Sequence, residues 1–174
     1  MKTALYTLLL VLFANFQLWS QEINFPDDYF GMYSGPLDII GKSGTQTIDM
    51  EFHLQPTDSV GNYQYKLVYI MNGDRQERDY TLVEKNKATG TYIVDENNGI
   101  ILDDKVVGNR MYSLFEVNGT LLTTFITFEK DHMVFEIVTS RTKDQRVTYP
   151  DSDPNTEVIS YPVGAIQRAV LQKQ

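Results

Sequence analysis

The sequence predicts an all-β fold, an antiparallel up-and-down β-barrel of about 8–10 strands. Two observations carry this prediction. Short alternating apolar runs recur along most of the chain, with Gly, Asn and Asp turns between them, and no long stretch has a convincing helical period. In addition, the segment 110–140 has the pattern of three consecutive antiparallel strands. Closing such strands into a barrel would remove their exposed edges, which favours a barrel over an open sheet.

The central segment 110–140 is organised by the dipeptide Asn118-Gly119, which lies between two alternating apolar runs. This dipeptide is typical of a type I′ turn, whose two central residues both need a positive φ. A second tight turn at Lys130-Asp131 leads into the third strand, and the two turns together fix the register. The facing pairs predicted on the inner side are Val117 with Thr120, Phe115 with Leu122, Ser113 with Thr124, Met111 with Ile126, Phe128 with Met133, Ile126 with Phe135, and Thr124 with Ile137.

The other elements follow from alternation and from turn residues. The strand 47–54 has the cleanest pattern, with one apolar and one polar face, as expected of an antiparallel sheet. The remaining strand candidates are 29–40, 63–71, 78–84, 91–95 and 100–102, and 103–109 is a link to the central segment. The segment 141–157 is polar and holds two prolines, so we expect a long loop that acts as a lid or a mobile segment.

The last segment, 158–171, fits two structures. Val163, Ile166 and Val170 would share one face of a helix, whereas the β-branched start and Pro162 favour a strand. The sequence favours the strand. The mature chain, 21–174, is thus predicted to form a single domain.

The first twenty residues, 1–20, are predicted to be a signal peptide. Lys2 supplies a positive start, Leu8 to Phe13 an apolar core, and Leu18-Trp19-Ser20 a cleavage site. The apolar run is short for a membrane span, and an uncleaved anchor is the alternative. We therefore expect an exported protein, either secreted or periplasmic.

Charge and composition exclude several classes of function. The formal net charge is −8, with no basic cluster, which argues against binding to nucleic acid or to anionic membranes. The chain has no Cys, so it has no lipoprotein attachment site, no disulfide and no thiolate chemistry. No phosphate-binding loop and no Gly-x-Ser-x-Gly motif is present, and we expect no cofactor.

The first strand carries Gly31-Met32-Tyr33. Together with the leader and the run of hairpins, this motif resembles the opening of the lipocalins, in the calycin superfamily. Lipocalins have Gly-x-Trp at this position and an Arg near the last strand that packs over the aromatic ring, for which Arg168 would be the counterpart. Tyr33 replaces the Trp, and no Thr-Asp-Tyr motif follows in mid-chain. The resemblance implies a lipocalin-like, cup-shaped barrel that binds a small apolar molecule.

The candidate ligand-binding residues carry hydroxyl groups on inner faces. They are Tyr63, Tyr65, Tyr69, Ser113 and Thr124. An unpaired buried hydroxyl costs roughly 1–3 kcal/mol, so several of them inside a barrel favour a cavity with a ligand or water. The alternative is that Ser113 bonds to Thr124 across the strand pair while the tyrosine hydroxyls reach the barrel mouth.

The outer face of the central segment is also apolar. It carries Leu114, Leu121, Phe125, Val134 and Val138, a set that we call the outer patch. Exposed apolar patches commonly mark interfaces, so we expect a homodimer through Leu114, Leu121, Phe125 and Val138. The alternative is that the N-terminal lead-in or the late loop covers this patch.

Other chemistry has weaker support. His53 and His132 have no second His or Cys at the spacing of metal ligands, and we assign no metal ligand and no catalytic residue. Asp95-Glu96, Asp103-Asp104 and Asp151-Ser152-Asp153 are interpreted as turn residues. The first functional hypothesis is therefore a carrier of a small apolar or aromatic ligand, and the second is an interaction module. An enzyme is third, and would need His53 or His132 to join carboxylates in one pocket.

Overall fold

The computed structural model describes residues 24–174, and ten of its strands form one closed antiparallel barrel. The predicted signal peptide, 1–20, lies outside the described residues. Strands follow one another around the barrel in chain order, and the last strand closes it by pairing with the first. The barrel strands are β1 Gly31–Gly41, β2 Gly44–Pro56, β3 Asn62–Met71, β4 Asp74–Asn86, β5 Thr91–Asp95, β6 Ile101–Val107, β7 Arg110–Val117, β8 Thr120–Phe128, β9 His132–Arg141 and β12 Ala165–Lys173. The all-β barrel prediction is confirmed.

The register predicted for the central segment is confirmed at every facing pair. Phe115 lies opposite Leu122, and Thr124 lies between Ser113 on β7 and Ile137 on β9. Asn118 has a φ of 49° and Gly119 a φ of 74°, as a type I′ turn requires. Turn chemistry therefore sets the register of β7 and β8.

One end of the barrel, which we call the closed end, is sealed by the residues that precede β1. A short 3₁₀ turn, Asp27–Tyr29, leads into that strand. Phe25 is buried against Tyr92 and Phe128, with ring centres 5.2 and 5.6 Å away. The Tyr92 hydroxyl donates a hydrogen bond of 3.2 Å to the carbonyl of Phe25. The described part of the lead-in, 24–29, therefore packs at the closed end and not on the outer patch.

Burial divides the interior into two halves. Towards the closed end the inward side chains are fully buried and include several large aromatic rings; examples are Tyr33, Phe52, Tyr92 and Phe128. Towards the other end, which we call the open end, inward side chains are only partly buried; examples are Ile39, Ile48, Tyr69, Leu102, Phe115, Leu122 and Ile137. The closed half is a packed core, whereas solvent reaches the inward face of the open half.

The late segment differs from the sequence prediction in part. The predicted loop 141–157 contains one strand of a small hairpin, formed by β10 Arg146–Thr148 and β11 Val158–Ser160. All six of these residues are exposed, so the hairpin has no buried face to give it an alternating pattern. The choice of strand over helix is confirmed, because β12 spans Ala165–Lys173.

The prediction that 103–109 is a link was wrong for most of that segment. Strand β6 runs on to Val107 and pairs with both β5 and β7. Two adjacent aspartates suggested a turn. In the structure, Asp104 lies on the inner face of β6 together with Leu102 and Val106, which are two residues before it and two residues after it. Among residues 24–174, no helix is long and apolar enough to cross a bilayer.

The expected role of Arg168 was also wrong. Arg168 lies on the outer face of β12, where its Nε is 3.7 Å from the carboxylate of Glu136. The cation over the Tyr33 ring is instead Lys173, whose Nζ lies 5.7 Å from the ring centre. Inward and outward positions alternate along β12, so residue 168 faces away from the aromatic ring while residue 173 can reach it from the strand end.

Candidate functional site

The three tyrosines of β3 share the inner face but lie at different heights. Tyr63 is near the closed end, where its ring lies 5.7 Å from Phe30 and its hydroxyl donates to a carboxylate oxygen of Glu84 at 3.3 Å. Tyr65 lies in the middle of the barrel and Tyr69 towards the open end. The structure therefore separates Tyr63 from Tyr65 and Tyr69.

Tyr65 is almost fully buried. Its ring packs edge-on against Phe52, with centres 4.9 Å apart, and stacks on Tyr80 at 6.3 Å. Burial raises the pKa of Tyr65 well above its ordinary value, and the carboxyl of Asp104 adds to this shift. The phenol therefore stays neutral and can donate a hydrogen bond at any physiological pH.

Tyr69 lies four residues after Tyr65 on the same face of β3, closer to the open end. Burial raises the pKa of its hydroxyl to about 12, although the nearby guanidinium of Arg78 opposes that shift. The central carbon of this guanidinium lies 5.7 Å from the centre of the Tyr69 ring. Tyr69 thus presents a neutral hydroxyl at the barrel mouth, and its ring contacts the positive guanidinium of Arg78.

Ser113 and Thr124 face each other on β7 and β8, as predicted. The Ser113 hydroxyl donates to the backbone carbonyl of Asp103 at 3.2 Å, so the bond formed is not the Ser113 to Thr124 bond of the alternative interpretation. Across the other strand boundary, Ser113 faces Asp104. Three polar side chains on adjacent strands therefore form one row on the inner face, and we call Asp104, Ser113 and Thr124 the polar row.

Asp104 is the member of this row that the sequence interpretation missed. It is 6% exposed, and its Oδ2 atom has no hydrogen-bond partner within residues 24–174. Desolvation raises the pKa of Asp104 to about 7, while the Ser113 hydroxyl opposes the rise. A hydroxyl has one proton, so Ser113 serves either the Asp103 carbonyl or this carboxyl. Asp104 therefore has an unused oxygen that can accept a hydrogen bond from a ligand.

The barrel wall is low on one side. In the sheet ladder, residues 74–80 of β4 pair with β3 but have no partner on β5, because β5 is only five residues long. On the other side of the β5–β6 hairpin, the β6–β7 ladder ends at Asp104 and Ser113, so 114–117 of β7 pair with β8 but have no partner on β6. We call the low part of the wall between 74–80 and 114–117 the lateral gap.

A recess of about 420 Å³ lies at the β7 side of the lateral gap. Asp104 and Ser113 contribute to its lining, so the recess adjoins the polar row. Its other lining residues come from the outer faces of β6, β7 and β8, and they are Asp103, Lys105, Tyr112, Leu114, Thr123 and Phe125. The recess is open to solvent and lies mainly on the outer surface of the barrel, and only Asp104 and Ser113 connect it to the inner face.

The two histidines form no site with the polar row. His53 lies on the outer face of β2, with Nε2 3.0 Å from Glu51, and His132 lies at the start of β9, with Nδ1 2.7 Å from Asp131. Within residues 24–174, no three His, Cys, Asp or Glu side chains are grouped as metal ligands would be. Neither histidine shares a pocket with the buried Asp104.

Part of the outer patch is covered by a neighbouring side chain, that of Arg110. The guanidinium of Arg110 lies over Tyr112 at 5.2 Å and over Phe125 at 4.9 Å from the ring centres. Phe125, Leu121, Val134 and Val138 are partly buried, whereas Leu114 is 64% exposed. The most accessible apolar group of the patch is therefore Leu114, at the edge of the recess.

Comparisons with known proteins identify the fold alone. No protein-family model matches the chain, and no curated protein does. The chain is similar to the crystal structure of a protein of unknown function from the DUF3598 family of Nostoc punctiforme PCC 73102, with a TM-score of 0.63 and 9% identity. The match covers 88% of this chain and 51% of that one, so this chain spans about half the length of its neighbour. The barrel is consistent with a lipocalin-like architecture.

Asp104 and Arg78 were not predicted as site residues, although the sequence holds a signal for each. Asp104 lies between Leu102 and Val106 at a spacing of two, so it shares their inward face. Arg78 has the same spacing from Tyr80 and Leu82. A charged residue that keeps phase with the apolar positions of a strand is a candidate for the interior.

Proposed function

We propose that this protein binds a small amphipathic molecule in the open half of the barrel, with a polar atom of the ligand on the polar row. The unpartnered Oδ2 of Asp104 is the observation that carries the proposal. A buried polar atom without a partner costs roughly 1–3 kcal/mol, and a ligand that donates a hydrogen bond would remove this cost. Tyr65, Ser113 and Thr124 supply further hydroxyls nearby, and the partly buried apolar side chains of the open half supply the remaining surface.

The lateral gap supports a route into this half of the barrel. Its recess adjoins Asp104 and Ser113, and the free stretch of β4 lies on its other side. Because the wall is low there, a ligand would reach the open half of the barrel while the closed half stays packed. As part of the proposal, we group the chain with lipocalin-like carriers and place it outside the cytoplasm, in keeping with the leader-like residues 1–20.

The test uses a neutral fluorescent dye, N-phenyl-1-naphthylamine, titrated into the purified protein. We expect saturable binding with a rise in fluorescence. Leu122→Trp places a large ring on the inner face of β8 and should abolish binding, whereas Leu121→Trp, its neighbour on the outer face, should leave binding intact. A folded protein that binds no dye and releases no small molecule in native mass spectrometry would rule out the carrier function.

A second function, self-association through the outer patch, is favoured by the exposure of Leu114. This side chain is 64% exposed, and the described lead-in residues, 24–29, pack at the closed end. The occupant we propose is a second copy of the chain, which would cover Leu114, Leu121, Phe125 and Val138. Sedimentation velocity of wild type and of Leu114→Asp tests this, because a dimer should become a monomer. A wild-type monomer at high concentration would dismiss the dimer.

A further inference from the structure

Arg78 has an unusual environment for a cation in this protein. It lies on the inner face of β4, opposite Leu67, and its exposed guanidinium lies over the Tyr69 ring, 5.7 Å from the ring centre. No carboxylate within residues 24–174 lies within 4.0 Å of this guanidinium. The Tyr69 ring thus contacts a positive group that has no ion-pair partner among residues 24–174.

Arg75, three residues away on the outer face of β4, shows the contrast. It makes two hydrogen bonds to the carboxylate of Glu51, of 2.9 and 2.8 Å, and lies 3.8 Å from Glu77. The chain carries 23 acidic residues against 15 basic ones, so carboxylates are abundant. Arg75 is neutralised by the carboxylates of Glu51 and Glu77, whereas Arg78 faces the open half of the barrel.

The position of Arg78 relates it to the lateral gap. It belongs to the stretch 74–80 of β4 that has no partner on β5, so its side chain lies at the edge of the opening. The guanidinium presents five N–H donors in a planar fork. These donors match the geometry of a carboxylate, sulfonate or phosphate.

We propose that Arg78 binds the anionic group of an amphipathic ligand at the lateral gap, while the apolar body of that ligand lies in the open half of the barrel. This inference rests on the proposed carrier function and adds the chemical class of the ligand. The apolar body would contact inward side chains such as Leu102, Phe115 and Leu122. The neighbouring hydroxyl of Tyr69 would add a neutral donor beside the anion.

The experiment compares two dyes that share one aromatic body. N-phenyl-1-naphthylamine is neutral, and 8-anilinonaphthalene-1-sulfonate carries a sulfonate. Wild type should bind the sulfonate dye more tightly than the neutral one. Arg78→Gln should weaken the sulfonate dye about tenfold, as loss of a charged hydrogen bond of roughly 1.4 kcal/mol would, and should leave the neutral dye unchanged. Arg168→Gln, on the outer face, should change neither affinity.

The outcomes separate this inference from the carrier function. If neither dye binds wild type, the carrier function itself fails. If both bind wild type equally, or if Arg78→Gln weakens both dyes alike, the anion site is wrong while the carrier function stands. Should Arg78→Gln not fold, the salt dependence of wild type decides. The affinity of the sulfonate dye, but not of the neutral dye, should fall as sodium chloride is raised, and equal responses would overturn the inference.

Discussion

The ammonium group of Lys173 lies 5.7 Å from the centre of the Tyr33 ring, and Gly31 is what leaves room for it. A Cβ atom at residue 31 would come within 2.6 Å of Cε of Lys173. The lysine stem therefore crosses β1 over a glycine to reach the aromatic ring two residues further on. Gly31 and Tyr33 act together in the Gly31-Met32-Tyr33 motif, and the cation they accommodate comes from the end of the last strand.

This arrangement predicts the effect of removing the cation. Lys173→Gln should lower the free energy of unfolding by about 0.5–1 kcal/mol, the usual size of an accessible cation–π contact. Arg168→Gln should be close to neutral, because its ion pair is on the outer surface. Urea denaturation of the two variants measures both values. Equal losses would mean that the contact with Tyr33 contributes nothing of its own.

The aromatic core of the closed half makes a second prediction. Phe128 is 1% exposed and lies between the rings of Phe25, Tyr29 and Phe52, at 5.6, 5.3 and 5.9 Å. Phe128→Ala should cost about 3–5 kcal/mol, because it leaves a cavity in a packed core. Thr127→Ala, one residue away on the outer face, should cost less than 1 kcal/mol. Thermal unfolding that is equally affected by the two changes would contradict the assignment of faces.

The turn between β7 and β8 gives a third prediction. Gly119→Val should destabilise the protein, because a β-branched residue resists the φ of 74° found there. Asn118→Gly should be tolerated, since glycine adopts positive φ readily. Comparison of melting temperatures tests the pair. A Gly119→Val variant that melts like wild type would show that the turn does not depend on this conformation.

The fourth prediction concerns pH and Asp104. Its pKa in the folded protein is about 7, above the ordinary value of 3.8, so the folded state holds this proton more tightly than the unfolded state. The stability linked to the proton is complete below pH 3.8 and is lost as pH rises through 7. Wild type should therefore lose stability relative to Asp104→Asn between about pH 4 and pH 8.

The carboxylate of Glu51 serves as an internal control for that measurement. Its hydrogen bonds from Arg75 lower the pKa of Glu51 to about 2, from an ordinary 4.5. Its contribution to stability is therefore present above pH 4.5 and is lost only as pH falls towards 2. Melting curves across pH should show both effects in separate windows. Parallel curves for wild type and Asp104→Asn above pH 4 would show that this carboxyl is not buried as described.

The sequence determines some parts of this molecule much more directly than others. The register of β7, β8 and β9 could be predicted because Asn118-Gly119 ties one strand to the next through local chemistry. The lateral gap could not, because it depends on where the β4–β5 and β6–β7 ladders stop, and alternation continues past those points. Asp104 and Arg78 were missed for a related reason. Their roles depend on the hydrogen-bond partner that Asp104 lacks and the ion-pair partner that Arg78 lacks in the folded barrel.

The pairing of β1 with β12 has a consequence for how the protein folds. The two strands hydrogen-bond along most of their length, and the backbone N–H of Gln174 donates to the carbonyl of Met32 at 2.9 Å. The barrel therefore closes only when β12 pairs with β1, the strand farthest from it in the described sequence. Contacts between positions so distant in sequence slow folding.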